Sequence, residues 1–304
     1  MRQPVRKTGP YGIGSMVHVV HVADDIHRLN RWYEDVFGGV VFVGTDQPGH
    51  MASEKRSACL VLVSDYCIET MSPDLPLDLS TPIARFFERS GPRFHSLAWA
   101  TDDVDGLRSH LDANEVPCQL TDTGTYRFFF TSPRLTNGLM AEFISGEMPN
   151  DPRTRDDWSS MRKTWVRHPL GIIGLSHVTI GADDLADAEA RWQRLWAPVA
   201  IGKEPDDALD AECSWQRLGD LVVQLAQPRS PGSPLATHVD RFGSSIYAVT
   251  FAVQDLASVE AHLDRHGIRT SRLSEDTLRA DPADCFGAVY NFTTRVVGGD
   301  RTWG

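Results

Sequence analysis

Phe94-His95-Ser96-Leu97-Ala98-Trp99-Ala100 opens the stretch, Phe94 to Phe143, around which the rest of the chain is organised. Its apolar residues alternate, so it reads as a strand. Asp102-Asp103-Val104-Asp105-Gly106-Leu107 follows, an acidic cap that starts a helix. Arg127-Phe128-Phe129-Phe130 is a further strand, Pro133 to Gly138 a turn, and Leu139-Met140-Ala141-Glu142-Phe143 the closing strand. One βαβββ unit thus carries a histidine, His95, on its first strand and a glutamate, Glu142, on its last.

Working outward, the same order of elements returns. Met16 to Val22 alternates into a strand, Asp24-Asp25 caps a helix with Leu29, Trp32, Tyr33, Val36 and Phe37 at helical spacing, and strands follow at Val40–Val43, Ala58–Val63 and Tyr66–Met71. Ser80 to Ser90 makes a short helix. The second half repeats the first: His18 stands seven residues before Asp25, and His177 seven before Asp184. Asp65 to Pro73 returns as Asp220 to Pro228, His95 to Ala100 as Tyr247 to Ala252, and Gly138 to Glu142 as Gly287 to Asn291. Matches in unbroken order imply four βαβββ modules, at 16–73, 92–146, 172–228 and 244–296, paired into two domains at 12–148 and 171–298. Met1 to Gly14 reads as a flexible lead-in and the polar stretch 149–170 as a linker.

The chain of 304 residues is long enough for two cores. A net charge of −11 and a pI near 5.4 argue against nucleic acid or an anionic membrane as the main partner. With no apolar run long enough to span a bilayer and no secretory start, the expected location is cytoplasmic. Cys59, Cys67, Cys118, Cys213 and Cys285 make an odd count without CxxC spacing, so neither a disulfide framework nor a thiolate metal site is indicated.

The HVxxxxDD strand-to-helix start, the strand HSLAWATDDVDGL and the closing SPRLTNGLMAEF together resemble the vicinal oxygen chelate superfamily, the glyoxalase/bleomycin resistance/extradiol dioxygenase group. Within it, the first domain is most similar to the glyoxalase I and methylmalonyl-CoA epimerase type. The resemblance implies an α+β fold in which four βαβββ modules pair into two curved, barrel-like mixed sheets with helices outside, the first around a metal.

The residues support such a site on their own chemistry. Strand alternation places Cys67, Glu69 and Met71 on one face, His95, Leu97 and Trp99 on another, and Met140, Glu142 and Ile144 on a third. Each acid or imidazole then sits among residues that are buried, and buried carboxylates without a counter-charge cost several kcal/mol each. No Lys or Arg stands in register with them, whereas two imidazoles with two carboxylates suit one divalent ion: Zn, Ni, Co, Mn or Fe. In the resembling family, ligands come from the first and last strands of each module, which here are His18, Glu69, His95 and Glu142. The second domain has His177, Gln224, Tyr247 and Asn291 there and is expected to hold no metal. His21 reads as a packed or surface histidine.

With four ligands, the expected chemistry is that of a lyase or an isomerase/epimerase acting through a metal-stabilised enolate. Glu142 or Glu69 is then the base, with Glu54 a weaker candidate. With Glu69 turned away, His18, His95 and Glu142 form a two-histidine, one-carboxylate face suited to ferrous iron and ring cleavage of a catechol. A non-catalytic binding protein is the third reading. Trp99, Phe128 and Phe130 are candidate pocket walls for a small-molecule, oxygen-chelating substrate. Arg85, Arg89 and Arg93 either meet an anionic substrate or form a solvated helix face with Glu88. Both a monomer and a homodimer are compatible with the sequence.

Overall fold

A computed structural model of the chain describes residues 6–297 apart from Glu147 and Pro149. The ends of the lead-in and of the second expected domain, and Pro149 of the expected linker, lie outside the described residues. The first sheet comprises β1 (Ile13–Val22), β2 (Val40–Val43), β3 (Gly49–Met51), β4 (Arg56–Val63), β5 (Tyr66–Pro73), β6 (Arg93–Thr101), β7 (Thr121–Asp122), β8 (Arg127–Phe130) and β9 (Met140–Ser145). Helices α1 (Ile26–Phe37), α2 (Pro82–Ser90) and α3 (Val104–Ala113) belong with it, and α4 (Trp158–Arg167) follows. The second sheet comprises β10 (Ile172–Gly181), β11 (Val199–Asp206), β12 (Ala211–Leu218), β13 (Leu221–Pro228), β14 (Ser245–Val253), β15 (Thr270–Ser274), β16 (Thr277–Ala280) and β17 (Val289–Thr293), with α5 (Leu185–Trp196), α6 (Pro234–Phe242) and α7 (Leu256–Arg265).

The nine-stranded first sheet runs β2-β4-β5-β1-β6-β9-β8-β7, with β3 beside β4, and the eight-stranded second runs β11-β12-β13-β10-β14-β17-β16-β15. The two modules of each sheet meet at an antiparallel pair, β1 with β6 and β10 with β14. Neither path closes on itself, so both sheets are open and mixed rather than closed barrels. The helices after β1, β6, β10 and β14 start alike: Asp25, Asp103, Asp184 and Asp255 each accept a backbone N–H three residues on. These caps satisfy donors that a helix start leaves unpaired.

The repeat extends to the irregularities. Between Met16 and His18 the pairing with β6 slips by one residue, which leaves Val17 bulged, and between Val19 and His21 a second slip bulges β6 at His95 and Ser96. The second sheet slips at the corresponding places, at Ser176 and at Tyr247. A bulge turns an extra side chain onto one face and re-aims the residues beyond it.

The two sheets are joined reciprocally. Asp65, in the β4–β5 turn, accepts the N–H of Leu175 at 2.8 Å, and its counterpart Asp220 accepts that of Met16 at 2.7 Å. His21 Nδ1 meets Tyr33 Oη at 2.7 Å and its Nε2 meets the Phe286 carbonyl at 3.1 Å, so this histidine is a packed one, wholly buried.

Two stretches of loose-looking composition are packed. The lead-in is ordered from at least Thr8, which bridges to Ile13 and accepts the Gly219 N–H at 2.8 Å through its hydroxyl. The 149–170 stretch is a packed connector. Trp165 of α4 is buried and donates to the Gly38 carbonyl at 3.1 Å, while Arg153 donates to the carbonyls of Met16, Asp65 and Val17 at 3.0, 3.3 and 2.9 Å. Polar composition hid the apolar spacing of Trp158, Met161 and Trp165.

Burial pushes the Asp220 carboxyl up to about 6, against the Met16 N–H and Arg153, which lower it. A carboxyl raised on folding contributes stability below its ordinary range that is lost as pH rises through the folded value. Asp220→Asn keeps an acceptor for Met16 without the charge. Its stability relative to wild type should therefore rise by about 2.4 kcal/mol between pH 4 and pH 7. Urea denaturation at both pH values checks this, and a pH-independent difference would refute it.

Candidate functional site

His18 on β1 is paired with Ala98 on β6, and Ala98 with Glu142 on β9; on the other side of β1, Val20 is paired with Glu69 on β5. Paired residues point to the same side of a sheet, so His18, Glu69 and Glu142 share one face. His18 Nε2 lies 3.2 Å from Glu69 Oε2 and 3.2 Å from Glu142 Oε2. All three are largely buried, and neither ring nitrogen of His18 makes a hydrogen bond of good geometry. The structure thus brings together three of the four residues expected as ligands.

The fourth, His95, owes its placement to the β6 bulge. Strict alternation puts it with Leu97 and Trp99, but those two side chains join the main core, while His95 packs edge-on against Phe86 of α2 at 4.5 Å. Phe86 itself lies on Val20, Val22 and Met71, on the side of the sheet that carries His18 and Glu69. His95 Nδ1 contacts Ser96 Oγ at 3.0 Å, which leaves Nε2 as the ring nitrogen turned to other partners. Among the described residues no three His, Cys, Asp or Glu groups surround a point at ligand spacing. His18 instead touches both acids directly.

Charges explain the protonation pattern. Burial lowers His18, but contact with Glu142 and the charges of Glu69 and Glu142 more than offset it, so its pKa is raised. Burial raises Glu142, against His18. Burial, helped by Arg56, Arg93 and Arg89, lowers His95 to about 4, which keeps a neutral imidazole at ordinary pH.

A cation missing from the sequence reading also belongs here. Arg56 begins β4 opposite Pro73, four places along β5 from Glu69, yet its side chain reaches back diagonally and Nη1 lies 3.2 Å from Glu69 Oε1. Its Nε pairs with Glu54, so Glu54 is tied to Glu69 through one guanidinium at the rim. The expectation that no Lys or Arg reaches these acids is therefore corrected. Counting only residues in register neglected the length and fork geometry of arginine.

The aromatic candidates divide. Phe128 is paired with Ile144 and Phe130 with Glu142, so both stand on the site's face, 5.6 Å apart and edge to face, with Phe130 39% exposed. Tyr126 continues this row; burial and then the charges of Glu142 and Glu69 raise its hydroxyl. Its period-two spacing with Phe128 and Phe130 was the available signal. Trp99 is no pocket wall. Wholly buried on the other face, it stacks on Phe143 at 6.0 Å and donates to the Leu218 carbonyl of the second sheet at 3.1 Å. The β6 bulge accounts for this: Trp99 keeps the core face of Leu97 by simple alternation, opposite Ala98 and His18, while His95 leaves that face.

In the second sheet, the matching positions are satisfied by their neighbours. Gln224 accepts from Thr179 Oγ1 at 2.7 Å and donates to Asp206 at 2.9 Å. Arg279 donates to Asn291 at 3.1 Å and lies over the Tyr247 ring. His177 contacts Ser176 Oγ at 3.0 Å and packs on Trp215. An arginine supplies the positive charge there.

Comparison with known proteins agrees with this architecture. The family model described as "Glyoxalase-like domain" matches residues 16–196, and that of the "Glyoxalase/Bleomycin resistance protein/Dioxygenase superfamily" matches residues 176–282. The search among curated proteins gave no match. A mutant of 4-hydroxymandelate synthase from Streptomyces coelicolor superposes with a TM-score of 0.66 at 14% identity, covering 94% of this chain and 95% of that one. The 2,3-dioxygenase LapB from Pseudomonas sp. KL28 gives 0.60 at 10% identity, with 97% of each chain covered. At such identities the likeness concerns the fold. Methylmalonyl-CoA epimerase from Mycobacterium tuberculosis matches over 40% of this chain and 87% of its own, at 21% identity and a TM-score of 0.37. Among the described residues, no helix is long and apolar enough to cross a membrane. By repeat, topology and family match alike, the chain belongs to the glyoxalase-like family of the glyoxalase/bleomycin resistance/dioxygenase superfamily.

Proposed function

We propose that the first sheet is the seat of a metal-dependent lyase or isomerase/epimerase reaction on a small oxygen-chelating molecule, with His18, Glu69, His95 and Glu142 as the residues that would hold one divalent ion. The fit rests on the donor set. Two buried carboxylates point at an imidazole whose nitrogens lack well-formed hydrogen bonds, and a second, neutral imidazole lies on the same face. When bound, such an ion supplies Lewis-acid polarisation of paired substrate oxygens. The observation that carries the four-residue reading is the inward direction of Glu69, whose Oε2 lies 3.2 Å from His18 while its Oε1 faces Arg56.

The chain's own residues then divide the work. Arg56 holds one oxygen of Glu69 and keeps that carboxylate in place. Among the described residues no arginine forms an ion pair with Glu142, so it is the freer carboxylate to take a proton from a substrate carbon beside a carbonyl and return it. Tyr126, Phe128 and Phe130 would wall the substrate beside Glu142.

The Arg56 pairing also favours a second reading. If it draws Glu69 away from the ion, His18, His95 and Glu142 remain as a facial set, and the reaction would be ring cleavage of a catechol with ferrous iron.

Metal content after loading with Zn, Ni, Co, Mn or Fe, followed by exchange of carbon-bound hydrogen in deuterium oxide, tests the first reading. A panel of 1,2-dicarbonyl and 2-hydroxycarbonyl compounds should show metal-dependent exchange. Catechol-dependent oxygen uptake by the iron-loaded protein would support the second reading, and a protein that binds none of these ions would exclude both.

A further inference from the structure

A crevice of about 1130 Å³ lies between the two sheets. Its walls carry Arg28 from α1, Arg93 from β6, Arg241 from α6 and Arg279 from β16. None of these four has a carboxylate partner among the described residues. Of the three carboxylates lining the crevice, Asp281 and Asp284 are paired with Arg269, which leaves Asp24 alone. In a chain of net charge −11, this is a local excess of positive charge.

The guanidinium groups are held by rings rather than acids. Arg93 and Arg241 lie 3.9 and 4.8 Å from the centre of the Phe242 ring, Arg279 lies 5.2 Å from Tyr247, and Arg28 lies 5.1 Å from Phe286. Aromatic faces orient a cation without neutralising it. Arg93 spends its donors on Ser245 and the Ile246 carbonyl, across the junction of the sheets. Arg279 is 8% exposed, uses Nε on Asn291, and its Nη2 has no hydrogen-bond partner among the described residues. A buried guanidinium nitrogen without an acceptor is costly, and an anion reaching the crevice would supply one.

We propose that this crevice binds a diphosphate-bearing small molecule. Planar guanidinium forks brought into one crevice from α1, β6, α6 and β16 match several phosphate oxygens at once, more than a single carboxylate offers. The volume exceeds what an inorganic ion fills, and Trp32, Phe94 and Phe242 present apolar surface for an organic body. The site draws on both sheets and does not depend on the metal reading.

Calorimetric titration of the full chain with inorganic pyrophosphate, ADP and orthophosphate at low salt tests it. Pyrophosphate and ADP should bind at least tenfold tighter than orthophosphate and weaken as sodium chloride is added. Arg279→Gln and Arg241→Gln should each lower that affinity tenfold or more; Arg241 is exposed, so its variant keeps the fold. Arg127→Gln, on the far edge beside Asp105, should leave pyrophosphate and ADP affinity unchanged. Absence of pyrophosphate and ADP binding, equal affinity for orthophosphate, or binding that survives both Arg241→Gln and Arg279→Gln would overturn the proposal.

Discussion

Glu142→Gln should lower cobalt(II) affinity by about 10²-fold or more and remove the thermal shift that cobalt gives the wild type. Changing a group that merely supports a ligand already costs about 10- to 100-fold in metal affinity, so removing a charged ligand sets that as the lower bound. Glu142 is 7% exposed and has His18 as its side-chain partner at 3.2 Å. An amide keeps its shape and a neutral acceptor but cannot balance a dication. An ion at about 100 times its Kd stabilises the folded state by about 2.7 kcal/mol, which the variant should forgo. Visible absorption of the cobalt-loaded protein and its melting temperature with and without cobalt are the measurements. Unchanged cobalt affinity in Glu142→Gln would remove this residue from the site and with it the assignment of the proton-moving group.

Gly138→Ala should cost about 3 kcal/mol or more and lower the melting temperature by about 6 °C or more. Gly138 has φ +80°, and a Cβ there would stand 1.4 Å from the Ser244 carbonyl oxygen, on the chain that enters β14 of the second sheet. Its repeat counterpart Gly287 has φ +72° and would meet the Pro92 carbonyl oxygen at 1.9 Å, where the chain enters β6. Backbone meets backbone at both places, so no side chain can yield and the sheets must part. Gly124 provides the control. It shares a positive φ, +79°, but its Cβ would meet nothing within 4 Å, so Gly124→Ala should cost only the left-handed conformation, about 1 kcal/mol. Equal costs for the two variants would mean that the sheets are not held together at this contact.

Much of the fold was legible because it is written four times. The acidic caps at Asp25, Asp103, Asp184 and Asp255, and the alternation of the strands they follow, are local signals that repeat at corresponding positions. Short-range physics sufficed for them. The short strands β3 and β7 and helix α4 were not read, since the first two are stabilised by pairing with neighbours and the third had its apolar stripe diluted by polar residues.

The sequence by itself determined the four modules, their pairing into two sheets, and the places of His18, Glu69 and Glu142, because strand period and repeat spacing are properties of neighbouring residues. Tertiary structure alone decided the rest. The bulge at His95 and Ser96 turned His95 off the face of Leu97 and Trp99 and onto the side of the sheet that carries the acids, and the one at Val17 set Met16 beside Trp99. Arg56 reached Glu69 from four places away, and the arginines of the crevice met only when the two sheets packed. A register slip arises between strands, and the reach of a long side chain is realised only across them, so neither can be read from one strand's own pattern.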